Sequence, residues 1–144
     1  MDKPHIDPTP ILRVFIQPNI GLDSEIRHLV VKILNNTLAD EAVLSMKTCN
    51  AHWNARGAGF LELHNLFDVQ HRQLNDISSQ IAKRTRMLGG IALGSFHEFL
   101  KISQLDEQPG ESPDMMSLIA DHETIIRFLL EGAKKCSEEY EDEG

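Results

Sequence analysis

Hydrophobic and polar positions follow a helical period along most of this chain. From about residue 23 to 48, apolar residues recur at Leu22, Ile26, Leu29/Val30, Ile33/Leu34, Leu38, Ala42 and Met46. The steps of three and four predict an amphipathic helix. Asp23, Ser24 and Glu25 suit its start, through capping oxygens and negative charge at the positive end of the dipole. Gly57 and Gly59 break the pattern, and a second helix follows to about Leu88. Phe60, Leu63, Phe67, Leu74, Ile77, Ile81 and Leu88 give it a seam close to a heptad, and Gly89-Gly90 stops it. Residues 95–102 suit a short helix, and residues 106–111, with Pro109 and Gly110, a loop. The last helix is expected to open with Ser112 as cap, Pro113 in its first position and Asp114 beside the dipole. Its stripe runs Met115, Leu118/Ile119, His122, Ile126, Leu129, Ala133, Cys136, Tyr140. With no internal repeat and no strand-rich segment, the pattern predicts an all-α chain with three long helices and one short one. Residues 1–20 hold four of the six prolines and no helical period. They read as an irregular, pinned arm ahead of one domain over residues 21–144.

Composition narrows the picture little. A chain of 144 residues fits one domain with a real core. At 41% hydrophobic and 25% charged it is neither disordered nor membranous in character, and no apolar run approaches the ~20 residues of a membrane span. The first residues carry charges and prolines where a signal peptide would be apolar, so a cytoplasmic location is expected. Cys49 and Cys136 lie far apart in separate helices and read as reduced, partly buried thiols. The net charge of −8 argues against binding bare DNA, whose affinity comes largely from Lys and Arg on phosphates. It suits metal cations or a protein partner better.

The chemistry concentrates in residues 47–68, KTCNAHWNARGAGFLELHNLFD. His52 falls at the end of the first helix, and His64 and Asp68 one turn apart on the second, so that they project from one face. His64, Asp68, His71, Asn75 and Ser79 make a polar ridge beside the apolar seam, a place where helical bundles build metal sites. A His/Asp pair at this spacing is more often a solvated or hydrogen-bonded pair than a metal site. Spacing alone leaves both readings open. His122, on the last apolar stripe, reads as a satisfied core histidine.

The run LADEAVLSMKTCNAHWNARGAGFLELHNLFD resembles the signature of the Dps family of ferritin-like proteins. In that signature a helix ends in His-Trp-Asn, a glycine-containing turn follows, and the next helix opens with an aromatic, a His and an Asp. Leu88-Gly89-Gly90 and the short helix between the second and third long helices match as well. The resemblance covers roughly residues 22 to 140. It implies a four-helix-bundle subunit of a homo-oligomeric cage, a dodecamer, that oxidises iron at a site shared across a two-fold interface and stores it in stress protection. On this resemblance His52, His64 and Asp68 stand at metal-ligand positions and Trp53 beside them.

The match departs from the family in three places. Further along the second helix the family has an Asp and, one turn later, a Glu. Ser79 and Lys83 stand there instead. Lysine repels a divalent cation and could pair with Asp68 as a built-in substitute, so ferroxidase activity is left open. His71 and Asp76 could supply a nitrogen and an oxygen in compensation, and extra imidazole would turn the site from iron toward zinc. No fourth long helix is evident after the acidic run at residues 138–143, which leaves an apolar seam to be covered by further chain or by a neighbour. The arm also lacks the lysine-rich composition of DNA-binding members. Three readings follow: an iron-binding cage with an altered ferroxidase site; a non-catalytic cage in which Lys83 replaces the metal; and, with least in its favour, a DNA protector.

Overall fold

The computed structural model describes residues 17–142. Among them are four α-helices and no strand: α1 (Ser24–Asn54), α2 (Phe60–Met87), the short α3 (Phe96–Ile102) and α4 (Met115–Lys134). A π-helical turn, Lys135–Glu139, extends α4. The order of long and short elements is the one the apolar pattern predicts. Of the arm expected over residues 1–20, residues 1–16 lie outside the described residues; residues 17–20 have no helix, and Gln17 is tied to the Arg27 guanidinium.

α1 is the post around which the rest is arranged. It begins where Asp23 caps it, Oδ1 accepting from the Ile26 N–H at 2.9 Å. It runs to Asn54, so that His52 stands in its last turn as expected, and Cys49 and Ala51 beyond the apolar stripe are buried. Its 31 residues make a rod of about 46 Å. An amphipathic surface helix would hide one stripe, but α1 buries Asn35, Asp40, Glu41 and Lys47 as well as its leucines and valines. Three of these polar residues each hold a distant segment, since a buried polar group must find partners. Asn35 donates to the Ile91 carbonyl at 2.9 Å and accepts from the Leu93 N–H at 3.1 Å, fixing the connection after α2. Asp40 accepts from the Ser103 hydroxyl at 2.8 Å and the Gln104 N–H at 2.6 Å, holding the end of α3. Lys47 donates to the Asp106 carbonyl at 2.8 Å and pairs with Asp121 of α4 at 2.7 Å.

Two apolar clusters fill the space between. One joins Val43, Leu44, Phe67, Leu74, Leu105, Leu118 and Ile125. The other joins Val30, Val31 and Leu88, with Leu22, Ile26 and Tyr140 packed on it. Gly90 belongs to the second: a Cβ there would lie 2.6 Å from Val31 Cγ1, so only glycine lets the chain pass so close to α1. α4 begins two residues later than expected. Asp114, not Ser112, is the cap, because its carboxylate accepts from the Ser117 N–H at 2.7 Å.

The seam expected from three long helices is open. On α4, Ile119, Ile126, Leu129 and Leu130 are exposed. A groove of about 620 Å³ runs between α1, α2 and α4, lined by Ile33, Leu34, Ile77, Ile81 and Leu129 and, at one point, by the buried carboxyl of Glu41. Burial, aided by neighbouring Asp40, pushes the Glu41 carboxyl up to about 7. Its Oε2 has no hydrogen-bond partner among the described residues. None of the described helices is long and apolar enough to cross a membrane.

Candidate metal centre

The turn between α1 and α2 creates the site. Gly57 and Gly59 take φ of +91° and +75°, left-handed values that a side chain resists. The chain therefore reverses within five residues, 55–59, and Gly59 forms the N-cap of α2. This reversal sets the last turn of α1 against the first turns of α2.

His52 and His64 meet there face to face, with ring centroids 3.9 Å apart and planes 28° apart. Phe60 leans on His64 at 5.5 Å. The two histidines are locked reciprocally: Nδ1 of His52 lies 2.9 Å from the His64 carbonyl, and Nδ1 of His64 lies 3.1 Å from the His52 carbonyl. A carbonyl only accepts, so each Nδ1 must carry the proton. In the neutral ring each Nε2 is then left with its lone pair, the tautomer a metal ligand requires. The backbone thus orients both imidazoles before any metal arrives.

Asp68 lies one turn beyond His64 on α2, about one-third exposed. Its carboxylate is held by Arg72, a residue the sequence reading passed over although an Asp–Arg pair four apart is a recognisable helical signal. Arg72 Nε donates to Oδ1 at 3.2 Å and Nη2 lies 2.8 Å from Oδ2. Within one chain it is Arg72, not Lys83, that neutralises Asp68.

The remaining candidates are placed apart from this group. The ridge through His64 and His71 stays against α1, with His64 opposite His52 and His71 opposite Ser45. His71 turns to α1, where its Nδ1 is 3.0 Å from Ser45 Oγ, while its Nε2 accepts from Asn75 Nδ2 at 3.2 Å. Both its nitrogens are engaged within this chain. Asp76, Ser79 and Lys83 are exposed on α2, with the Ser79 hydroxyl donating to the Asn75 carbonyl at 3.0 Å. Trp53 is 68% exposed and lines a shallow cavity of about 300 Å³ with Met46, Pro109 and Pro113. His122 departs from the satisfied core residue expected: it is half-buried, burial lowers its proton affinity, and its Nε2 has no partner among the described residues. Both cysteines are free, Cys49 buried and Cys136 partly so, with burial pushing each thiol up.

One chain therefore offers two imidazole nitrogens and one shared carboxylate. Among the described residues, no group of three His, Cys, Asp or Glu could hold a metal ion. A metal bound at His52 and His64 needs donors from outside the chain, which is what a site divided between two subunits would look like from one side.

Comparison with known proteins places the chain among ferritin-like proteins. The model of the ferritin-like domain matches residues 31–144. The chain is 37% identical over 130 residues to an uncharacterized low temperature-induced protein of Nostoc sp., covering 88% of this chain and 73% of that one. It is 31% identical over 106 residues to DNA protection during starvation protein 2 of Bacillus anthracis, covering 72% of this chain and 73% of that one. Among solved structures it is similar to the Dps protein of Vibrio cholerae O1, described as a member of a broad superfamily of ferritin-like diiron-carboxylate proteins. That likeness has a TM-score of 0.79 and 27% identity, over 85% of this chain and 80% of that one.

Proposed function

This chain belongs to the Dps family of ferritin-like proteins, and from that membership we propose that it is a subunit of a homo-oligomeric cage, a dodecamer, that binds ferrous iron for storage and stress protection. The observation that carries this reading is the reciprocal lock of His52 and His64, which leaves both Nε2 atoms ready to ligate. Iron is the substrate and cargo, taken up where these nitrogens and Asp68 meet donors of a second subunit at a two-fold interface.

The facing residues are expected to be Ser79 and Lys83 of the partner chain, in place of two carboxylate donors. Carboxylates supply both oxygen donors and the negative charge that stabilises Fe²⁺ and, still more, Fe³⁺. An ammonium about 5 Å from a unit positive charge is opposed by roughly 3 kcal/mol at an effective dielectric of ~20, and a divalent ion feels more. Half of that, after solvent relaxes, is about a tenfold loss of affinity. Ferroxidase turnover is therefore slow. The bound metal is iron rather than zinc, because in this chain the third imidazole that would favour zinc, His71, is committed to Ser45 and Asn75.

A second reading draws on the Asp68–Arg72 pair: a non-catalytic cage in which protein cations take the metal's place. The two are separated by following absorbance of ferric iron after adding Fe²⁺ in air. Iron storage with weakened oxidation predicts slow oxidation by the unaltered protein and a rise of about tenfold or more in Ser79→Asp/Lys83→Glu. Rapid oxidation by the unaltered protein, abolished by His64→Ala, would show that other groups complete the site. No oxidation above the iron-only control in either protein would favour the non-catalytic cage.

A further inference from the structure

Asp68, one helical turn after His64 on α2, is the carboxylate this half of the site would lend to a metal, and it is already taken. The Arg72 guanidinium reaches both of its oxygens in a forked pair, at 3.2 and 2.8 Å, the geometry in which arginine holds a carboxylate best. Arg72 is 75% exposed and Asp68 33%, so the pair faces water and can open and close. With Asp68 paired, its negative charge is already compensated before a divalent ion arrives.

We infer that Arg72 is a counter-cation that competes with divalent metal for Asp68, so that metal enters this site by displacing a guanidinium. The inference rests on the metal-binding reading above and adds a selectivity to it. A hard, oxygen-seeking ion such as Mn²⁺ relies on the carboxylate more than a borderline ion such as Co²⁺, which imidazole serves well. Competition from Arg72 therefore falls harder on the former. Arg72 acts through Asp68 and is a positioning and specificity residue, not a ligand.

The test uses the whole assembled protein and two probes: Mn²⁺, followed by the paramagnetic resonance of the free ion, and Co²⁺, followed by its visible absorption. Arg72→Gln is expected to tighten Mn²⁺ by about two- to fivefold, the range an exposed ion pair supports, and Co²⁺ by less. In an Asp68→Asn background the same substitution is expected to change neither. Arg72 is too exposed for its loss to unfold the helix, and matching circular dichroism melts check this. Unchanged or weaker Mn²⁺ binding in Arg72→Gln, or a gain that survives in Asp68→Asn, overturns the competition while leaving His64-dependent binding intact. If neither metal shows His64-dependent binding in any variant, the metal-binding reading fails and this inference fails with it.

Discussion

Replacing Glu41 with glutamine should stabilise the protein, and increasingly so as pH rises from about 4.5 to neutrality. Glu41 is 4% exposed, sits beside buried Asp40 on α1, and shares its groove with Arg84, Cys136 and Asp142. Arg84 is paired with Asp142. Burial holds the Glu41 carboxyl at about 7 against an ordinary value of 4.5. The folded state thus keeps this proton more tightly than the unfolded chain does. Below the unfolded value both states are protonated and there is no penalty. As pH rises from 4.5 through about 7 the unfolded chain ionises first, so stability falls, and by about pH 8 the deficit reaches up to ~3 kcal/mol. Asp40, also raised by burial, adds a slope of the same sign. His122, lowered by burial, adds one of the opposite sign at lower pH. Comparing Glu41→Gln with the parent at each pH cancels the His122 slope; the repulsion between Asp40 and Glu41 is part of the effect and carries the same sign. Glutamine keeps the shape and cannot ionise. Urea denaturation at fixed protein concentration should show the variant ahead by about 2–3 kcal/mol near pH 8 and by less than ~1 near pH 5. An equal difference at both values would refute the linkage. A loss of stability near pH 8 would mean that a donor meets the carboxylate in the assembled protein.

Other consequences follow from the packing and the charge. Lys47→Met leaves Asp121 and the Asp106 carbonyl without their shared cation, and should lower stability by about 3 kcal/mol in thermal or chemical melts. Gly90→Ala places a methyl 2.6 Å from Val31 Cγ1 and should cost about 1–3 kcal/mol, partly recovered by Val31→Ala. Light scattering should find a closed oligomer at micromolar concentration, because the exposed residues of α4 and the groove beside it form too large an apolar surface for a lone subunit. With a net charge of −8, a gel shift at physiological salt should show no retardation of duplex DNA.

Most of the helical framework was legible in the sequence, because apolar residues at steps of three and four report directly on which side of a helix is covered. The burial of α1 was not. A stripe predicts one buried face, whereas Asn35, Asp40 and Lys47 are buried by partners 56 to 74 residues away along the chain, which no local pattern can reveal. The start of α4 was misplaced because Ser112-Pro113 is itself a good helix opening; the competing Asp114 wins by its bond to Ser117. At the site, the pairing of His52 with His64 came from resemblance to a family rather than from spacing. The carbonyl exchange that sets their tautomers depends on the turn at residues 55–59 and has no sequence signature. Arg72 did have one. It stands four residues after Asp68, the spacing at which opposite charges meet on one helix face.

The central claim, that His52 and His64 are poised ligands of a site completed by a second subunit, is tested most directly by calorimetric titration of Fe²⁺ into the assembled protein without oxygen. The unaltered protein should bind iron, and His52→Ala or His64→Ala should each weaken that binding by about tenfold or more, with the oligomer intact by light scattering. Asp68→Asn should cost less, since Arg72 already shares that carboxylate. Iron binding of full strength in both histidine variants would contradict the claim.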